Sequence, residues 1–494
     1  MYNQKSKKIL FSLLLIPVAF ILLLPLFRTL VFSVKNYSPL YGLAGSPFVG
    51  FKNYTEFLKS PYVTKILCNS IGITLISLIT GSLYVYLSTV AVSSAKNRIF
   101  RFLLTFVFCL PAFVPGILIA NMMLPVVKMA TVSGAADVLR FLLGVIDGLK
   151  LSAFVVFIAG FSDGEPWKDG IKYTLIFVAI RIITIFTTDT GMISLLYNPL
   201  LYEKMDTLNT YVMRQGIGNG AFTITAATDI IRVMCQILPA ALACALLVFA
   251  YKRKSESVYK TKSKEIVTIF AAIIPLGLFL ILTISGASLF PNGENAIIVP
   301  GYINEAIIAF MSALLTTAIA FGISILCRNA NDVVAMVFLT VIIWANGFLT
   351  TDYLHIRELG LVNTILGCVL MNSGIIPILA VVFTFISKNT LRKRMNISLL
   401  ISGFAFSFAW FWGETLSPMI IFNNNELFPL SLIIREVILV NSSIGFPFEP
   451  QLFSSLPYIL IPLCVCGAGV LIGQILMKPM ENIKIHNEDI QTDL

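Results

Sequence analysis

Apolar runs of spanning length recur along the chain at 9–27, 66–93, 102–127, 141–161, 173–190 and 224–251. A second set follows at 265–290, 303–327, 332–350, 361–387, 397–413 and 455–477. A bilayer core takes roughly 20 residues of helix, so each run reads as a membrane span. The pattern predicts an all-α polytopic membrane protein with twelve transmembrane helices. The fourth, fifth and eleventh runs are the weakest, because they are short or interrupted by charge. Lys5, Lys7 and Lys8 ahead of the first run have the flavour of a signal peptide. That run nevertheless approaches full spanning length and no clean small-residue cleavage site follows, so it reads as a retained first helix.

The polar segments between the runs give the spans a direction. Lys96, Arg98 and Arg101 fall in one short segment, six Lys and Arg crowd 252–264, and Lys388, Arg392, Lys393 and Arg394 fall in a third. The long segments 28–65, 191–221 and 414–454 carry few for their length. Basic residues are retained on the cytoplasmic side, which predicts both termini cytoplasmic. The stretch Tyr251–Lys264 is the charge-rich linker near the middle. It divides the chain into a first half, 1–251, a linker, 252–264, and a second half, 265–494, each half with six candidate spans. Tandem halves with a substrate path between them are a recurring transporter plan.

Composition agrees. Hydrophobic residues make up 57% of the chain, charged residues 12%, and mean hydropathy is +0.89. No soluble interior could hide that much apolar surface. The formal net charge of +10 would suggest nucleic acid on a soluble domain. Here the charges lie between apolar runs rather than in one patch, so nucleic acid is excluded and a lipid bilayer is the expected partner. The eight Cys fall mostly inside apolar runs, and Cys464-Val-Cys466 is neither a zinc nor a thioredoxin spacing, so they read as small membrane-embedded hydrophobes.

Several polar segments resemble those of a known family. In the first half these are Gly45-Ser-Pro-Phe-Val-Gly50-Phe-Lys-Asn53-Tyr54, Asn69-Ser70, and Leu196-Tyr-Asn198-Pro199-Leu-Leu-Tyr202-Glu203 continuing to Asn209-Thr210-Tyr211-Val-Met-Arg214. In the second half they are Leu359-Gly360-Leu361-Val-Asn363-Thr364, Trp412-Gly-Glu414, Leu427-Phe-Pro429-Leu430 and Ile433-Ile-Arg435-Glu436. The first set is similar to one permease subunit of oligosaccharide-type ABC importers, and the second set to its partner permease. The resemblance implies two permease-like domains fused in one chain in a bacterial cell membrane. It further implies a carbohydrate substrate, an extracytoplasmic solute-binding protein and separate ABC ATPase subunits.

The cytoplasmic loops depart from that family, which carries an E-A-A-x-x-D-G-A pattern on the short helix that docks into the ATPase. The corresponding loop of the first half reads Gly164-Glu165-Pro-Trp167-Lys-Asp169-Gly170. Glu165, Asp169 and Gly170 are candidates for a remnant, with a spacing one residue short and no alanines. The second-half loop, 387–395, has no acidic residue; a positive-inside anchor and an acidic-groove contact both suit it. The erosion leaves a second reading, a permease-like scaffold or sensor that does not pump. A third is a permease-like subunit of an exporter or another assembly.

Ionisable residues within spans are costly and mark functional candidates unless paired. Asp229 and Arg232, and likewise Asp147 and Lys150, are three apart, which suits either an intrahelical pair or a substrate contact. Arg181 has no local partner in its run; Asp229, Asp189 or a polar cavity would each satisfy it. Glu414 beside Trp410 and Trp412 suits a sugar contact, since rings stack on sugar faces and carboxylates accept from hydroxyls, or an interfacial aromatic belt. Transport-path candidates are therefore Arg181, Asp229, Arg232, Trp412 and Glu414. Pro111, Pro115, Pro125 and Pro239 interrupt the third and sixth runs, as at a cavity border or in an ordinary membrane helix. The two histidines, His355 and His486, lie outside the spans. With no phosphate-binding Gly-Lys-Ser/Thr loop, metal cluster or nucleophile elbow, no enzyme, cofactor or catalytic residue is expected.

Overall fold

A computed structural model describes residues 4–95, 97–133, 136–162, 164–187, 190–196, 202–253, 276–277, 295–388, 393–436 and 452–476. The linker beyond Arg253, the expected span 265–290, Lys96, Asp189, Asn198, Pro199, Arg392 and His486 lie outside them. The described residues are helical, with one isolated antiparallel bridge between Lys35 and Phe48.

The first-half helices are α1 Gln4–Leu22, α2 Leu24–Ser33, α3 Val63–Ser94, α4 Arg98–Phe113, α5 Gly116–Ser133, α6 Ala136–Ala159, α7 Pro166–Ile183, α8 Phe222–Cys235 and α9 Ile237–Lys252. Later come α10 Asn295–Asn329, α11 Asp332–Trp344, α12 Leu349–Glu358, α13 Ile365–Met371, α14 Ile376–Lys388, α15 Lys393–Phe411 and α16 Leu452–Leu476. Among the described residues five stretches are long and apolar enough to cross a membrane, and the count rises to eight when three bent pairs are taken as single spans. The protein is thus an all-α protein with several membrane-spanning helices. The expected runs 397–413 and 455–477 appear as shorter apolar helices, Ile397–Phe411 and Pro457–Gly473. The expected run 173–190 corresponds to α7, which carries Lys168, Asp169, Lys172 and Arg181. On α1, Ile9, Leu13, Ile16 and Phe20 are exposed, a face that suits lipid and not water.

The bends have local causes. Between α4 and α5 the axis turns by 64°. Val114 there is extended, at φ −75° and ψ 118°, because the ring of Pro115 excludes the helical conformation from the residue before it. The α8–α9 pair turns by 47° at Gln236, and Pro239 sits in the first turn of α9, where a missing N–H costs nothing. The largest bend, 80°, separates α11 from α12 at Ala345–Phe348. Gly347 makes it with φ +82°, a conformation that glycine adopts without strain.

Packing repeats along the chain. In the first half α3 packs on α6 and α7, and α7 on α9; in the second, α10 packs on α14 and α15, and α15 on α16. The exchange between them is reciprocal: α9 meets α11, and α16 meets α4. A single hydrophobic core runs through both sets. One end of the bundle gathers Arg101, whose guanidinium donates to the carbonyls of Ser162 and Ala95, and the Tyr251–Phe385 ring pair. Asn331, whose N–H donates to Ser12 Oγ near the start of α1, lies there too. We refer to it as the basic end.

The α3–α6 seam is closed by glycines. A Cβ on Gly148 would lie 2.6 Å from the carbonyl oxygen of Ser77, and one on Gly144 would lie 2.9 Å from that of Ile73. Gly144 and Gly148 form a G-x-x-x-G stripe that lets the two backbones touch, the packing mode available to helices in lipid. Gly148→Val is expected to cost about 1–3 kcal/mol, the typical penalty of overpacking. Unfolding in detergent, with Gly72→Val on the open side of α3 as the control, measures it; equal effects would remove the seam from the account.

Candidate functional site: a charged cavity at two helix breaks

The breaks at Val114–Pro115 and Ala345–Phe348 open onto a common cavity of about 350 Å³. Both sets of helices line it, and its charged residues are Asp147, Lys150, Arg181, Asp352 and Glu414. That volume falls within the range of small-molecule sites. Pro115 of the first break touches the backbone just past α15: a Cβ on Gly413 would come within 2.5 Å of Pro115 Cβ. Gly413, at φ +83°, is the middle residue of the Trp412-Gly-Glu414 motif, so this backbone needs glycine for both conformation and space.

Arg181 lies in the wall, 1% exposed. One Nη forms an ion pair with Asp147 Oδ2 at 2.7 Å and donates to Thr74 Oγ1 at 3.1 Å. The other donates to the Thr187 carbonyl at 2.9 Å. A single guanidinium therefore joins α3, α6 and α7 to the 184–187 turn. Its partner is Asp147 on the neighbouring helix rather than Asp229, and it also borders a polar cavity, one of the alternatives the sequence offered. Asp189 lies outside the described residues. Lys150, expected to lean on Asp147, has its Nζ 5.9 Å from the centroid of the Trp410 ring, within reach of a cation–π contact.

Glu414 lines the cavity and its Oε1 accepts from the Leu416 N–H at 3.0 Å. Trp410 is half-buried, whereas Trp412 is 2% exposed and its indole N–H donates to the Tyr458 carbonyl at 2.8 Å. Trp412 packs between Phe408 and Tyr458, which makes most of it core. Asp229 and Arg232 stand behind the wall. They pair at 3.2 Å, and Arg232 donates to the carbonyls of Asn346 and Gly347 at 3.1 and 3.3 Å. Those carbonyls are freed where α11 ends, so the guanidinium caps the broken helix.

One turn from the cavity residues Trp410 and Leu151, toward the basic end, lies an aromatic layer. One turn before Trp410 on α15, Phe406 is fully buried and meets Phe113, Phe154 and Phe157 at ring-centroid distances of 5.4, 5.0 and 4.9 Å. These rings come from α4, α6 and α15 and close the space between the two sets.

The candidate coupling residues lie far from this cavity, at the basic end. Asp169 is 1% exposed and accepts from Ser162 Oγ at 2.6 Å and from Ser93 Oγ at 3.5 Å. Gly170 abuts Val90 and Tyr86, so both residues are turned into the bundle. Glu165 pairs with Lys168 at 3.0 Å, beside an exposed Trp167.

Comparison with protein-family models, with characterised proteins and with solved structures finds no match to this chain. The permease likeness therefore rests on its own residues. Several of the resembling segments are joints at the end opposite the basic one. Asn53 donates to the carbonyls of Ser33 and Lys35. Asn69 donates to the Asp206 carbonyl, and the Leu208 N–H donates to Ser70 Oγ. Asn363 Oδ1 accepts from the N–H groups of Asn423 and Asn424.

Two acidic residues that sequence reasoning passed over belong to this region. Asp352 lines the cavity from the first turn of α12. Glu305, 2% exposed on α10, accepts from the N–H of Gly413 at 2.7 Å and of Ser431 at 2.9 Å. A carboxylate near the start of an apolar run was the available signal for Glu305.

Proposed function

We propose that this chain is the solute-conducting membrane component of an ABC-type carbohydrate importer. In this reading it has twelve spans in two permease-like halves, lies in a bacterial cell membrane and keeps both termini in the cytoplasm. The energy source is a separate ATPase, and an extracytoplasmic solute-binding protein delivers the sugar. The observation that carries the reading is the polar cavity at the two helix breaks, lined by both sets of helices. Broken helices around a mid-bundle site are how transporters expose backbone and charge to a solute without exposing them to lipid. Reciprocal packing of the two helix sets gives such a site two bodies that can rock against each other.

Purified protein should bind sugars in the cavity. The chain has four tryptophans, so in a Trp167→Phe/Trp344→Phe background only Trp410 and Trp412 report. Titration with a panel of mono- and oligosaccharides is expected to change their emission saturably, and co-purification should recover a nucleotide-binding subunit. A folded protein that binds no member of the panel and recovers no ATPase would overturn the importer.

One observation favours the second reading, a permease-like scaffold or sensor that does not pump. The inward-turned Asp169 and Gly170 leave chiefly Glu165 and Trp167 to present to an ATPase from that loop. An ATPase signal reaches the cavity only through contacts that differ between the transporter's states. Under the scaffold reading, sugar binding survives while ATPase association is absent.

A further inference from the structure

The charges of the cavity do not balance. Its described lining holds three carboxylates, Asp147, Asp352 and Glu414, against two cations, Lys150 and Arg181. Each guanidinium in the neighbourhood is already engaged by another carboxylate. Arg181 is paired with Asp147, Arg232 with Asp229, and Arg28 of α2 with Glu358 of α12. The charged groups acting on Asp352 are Asp229, Arg232 and Arg28, so the two cations among them belong to other ion pairs. Among the described residues Asp352 makes no ion pair and no side-chain hydrogen bond; its backbone N–H donates to the Phe348 carbonyl at 2.8 Å. The N-terminus of α12 gives it a favourable field, equivalent to about half a charge at most.

An ionised carboxylate that lines a cavity within a membrane protein, with the nearby guanidinium groups held by other carboxylates, favours a counter-charge from the solute. We infer that the cavity takes a solute carrying an ammonium group, and that Asp352 receives that group. The inference rests on the solute-cavity reading above and narrows its substrate class to amino sugars and related amines. A divalent metal does not fit, since no group of three His, Cys, Asp or Glu converges anywhere among the described residues. A bound proton would answer the charge of Asp352 but not the hydroxyl-binding and aromatic groups that share the cavity with it. An amino sugar satisfies both: its ammonium faces Asp352, its hydroxyls face Glu414 and Asn346, and a ring face meets Trp410.

The test uses the full chain in detergent or nanodiscs, with the Trp410 and Trp412 emission as readout. The probes are glucosamine, glucose and N-acetylglucosamine, which share one ring and differ in charge. Glucosamine is expected to bind at least about tenfold more tightly than either neutral sugar, the usual worth of a charge-assisted hydrogen bond. Asp352→Asn should erase that preference, so that glucosamine and glucose bind alike, and Asp352→Glu should keep part of it. Neutral sugars binding as tightly as glucosamine would overturn the inference alone, as would a preference that survives Asp352→Asn; a protonated Asp352 predicts the former. If none of the three probes binds to folded protein, the solute-cavity reading falls and the inference with it.

Discussion

Arg181→Met is expected to destabilise the protein by about 3–5 kcal/mol, the penalty for removing one partner of a buried ion pair. The substitution strands Asp147, whose side chain is 12% exposed, and removes the donor to Thr74 Oγ1 and to the Thr187 carbonyl. Coulomb attraction alone would be replaced by any cation at this position. The planar fork is not replaceable, because it serves three elements at once. Arg181→Lys should therefore be intermediate, and Asp147→Asn combined with Arg181→Met should recover part of the loss, since the stranded charge is gone. Denaturant or sodium dodecyl sulfate titration of the four proteins provides the comparison. Wild-type stability in Arg181→Met would show that the pair contributes nothing to the wall of the cavity.

Several apolar helices were legible in the sequence because lipid imposes length and polarity on a span, but the twelve spans expected stand against five to eight among the described residues. An interruption of the third run was legible from its prolines, but not that Pro115 makes the bend while Pro111 and Pro125 lie inside helices. Partner choice was not. Spacing along α6 put Lys150 beside Asp147, yet the packing of α6, α3 and α7 brings Arg181 to Asp147 from another helix. The Asp229–Arg232 pair was visible as a local motif and does form, but its place behind the wall depends on where α11 ends. Arg181, Trp412 and Glu414 reach the same cavity from residues more than two hundred positions apart, and no local pattern announces that. Asp352 was missed for a related reason: in sequence it looks like an acidic residue in the first turn of an ordinary helix. Only the two-helix break turns it toward an interior space.

Glu305 carries the second large effect, through backbone rather than through charge pairing. Its two carboxylate oxygens accept from two buried N–H groups, Gly413 after α15 and Ser431 in the helical segment 430–436. Gly413 lies in the turn after α15 and Ser431 in the first turn of its helix, where no helical partner is available, so the side chain supplies the acceptors that the backbone lacks. Glu305→Ala leaves both N–H groups unsatisfied, and at about 1–3 kcal/mol for each the expected loss is about 2–6 kcal/mol. Glu305→Gln keeps one acceptor oxygen and turns an NH₂ toward the other donor, so it should lose roughly half as much while preserving volume. The two variants together separate acceptor loss from cavity creation. Because Gly413 abuts Pro115 of the first break, loosening it should also weaken sugar binding reported by Trp410 and Trp412. Equal stability of the Ala and Gln variants would mean that the hydrogen bonds do not hold this corner. Intact sugar binding in a destabilised Glu305→Ala protein would place the solute away from Gly413.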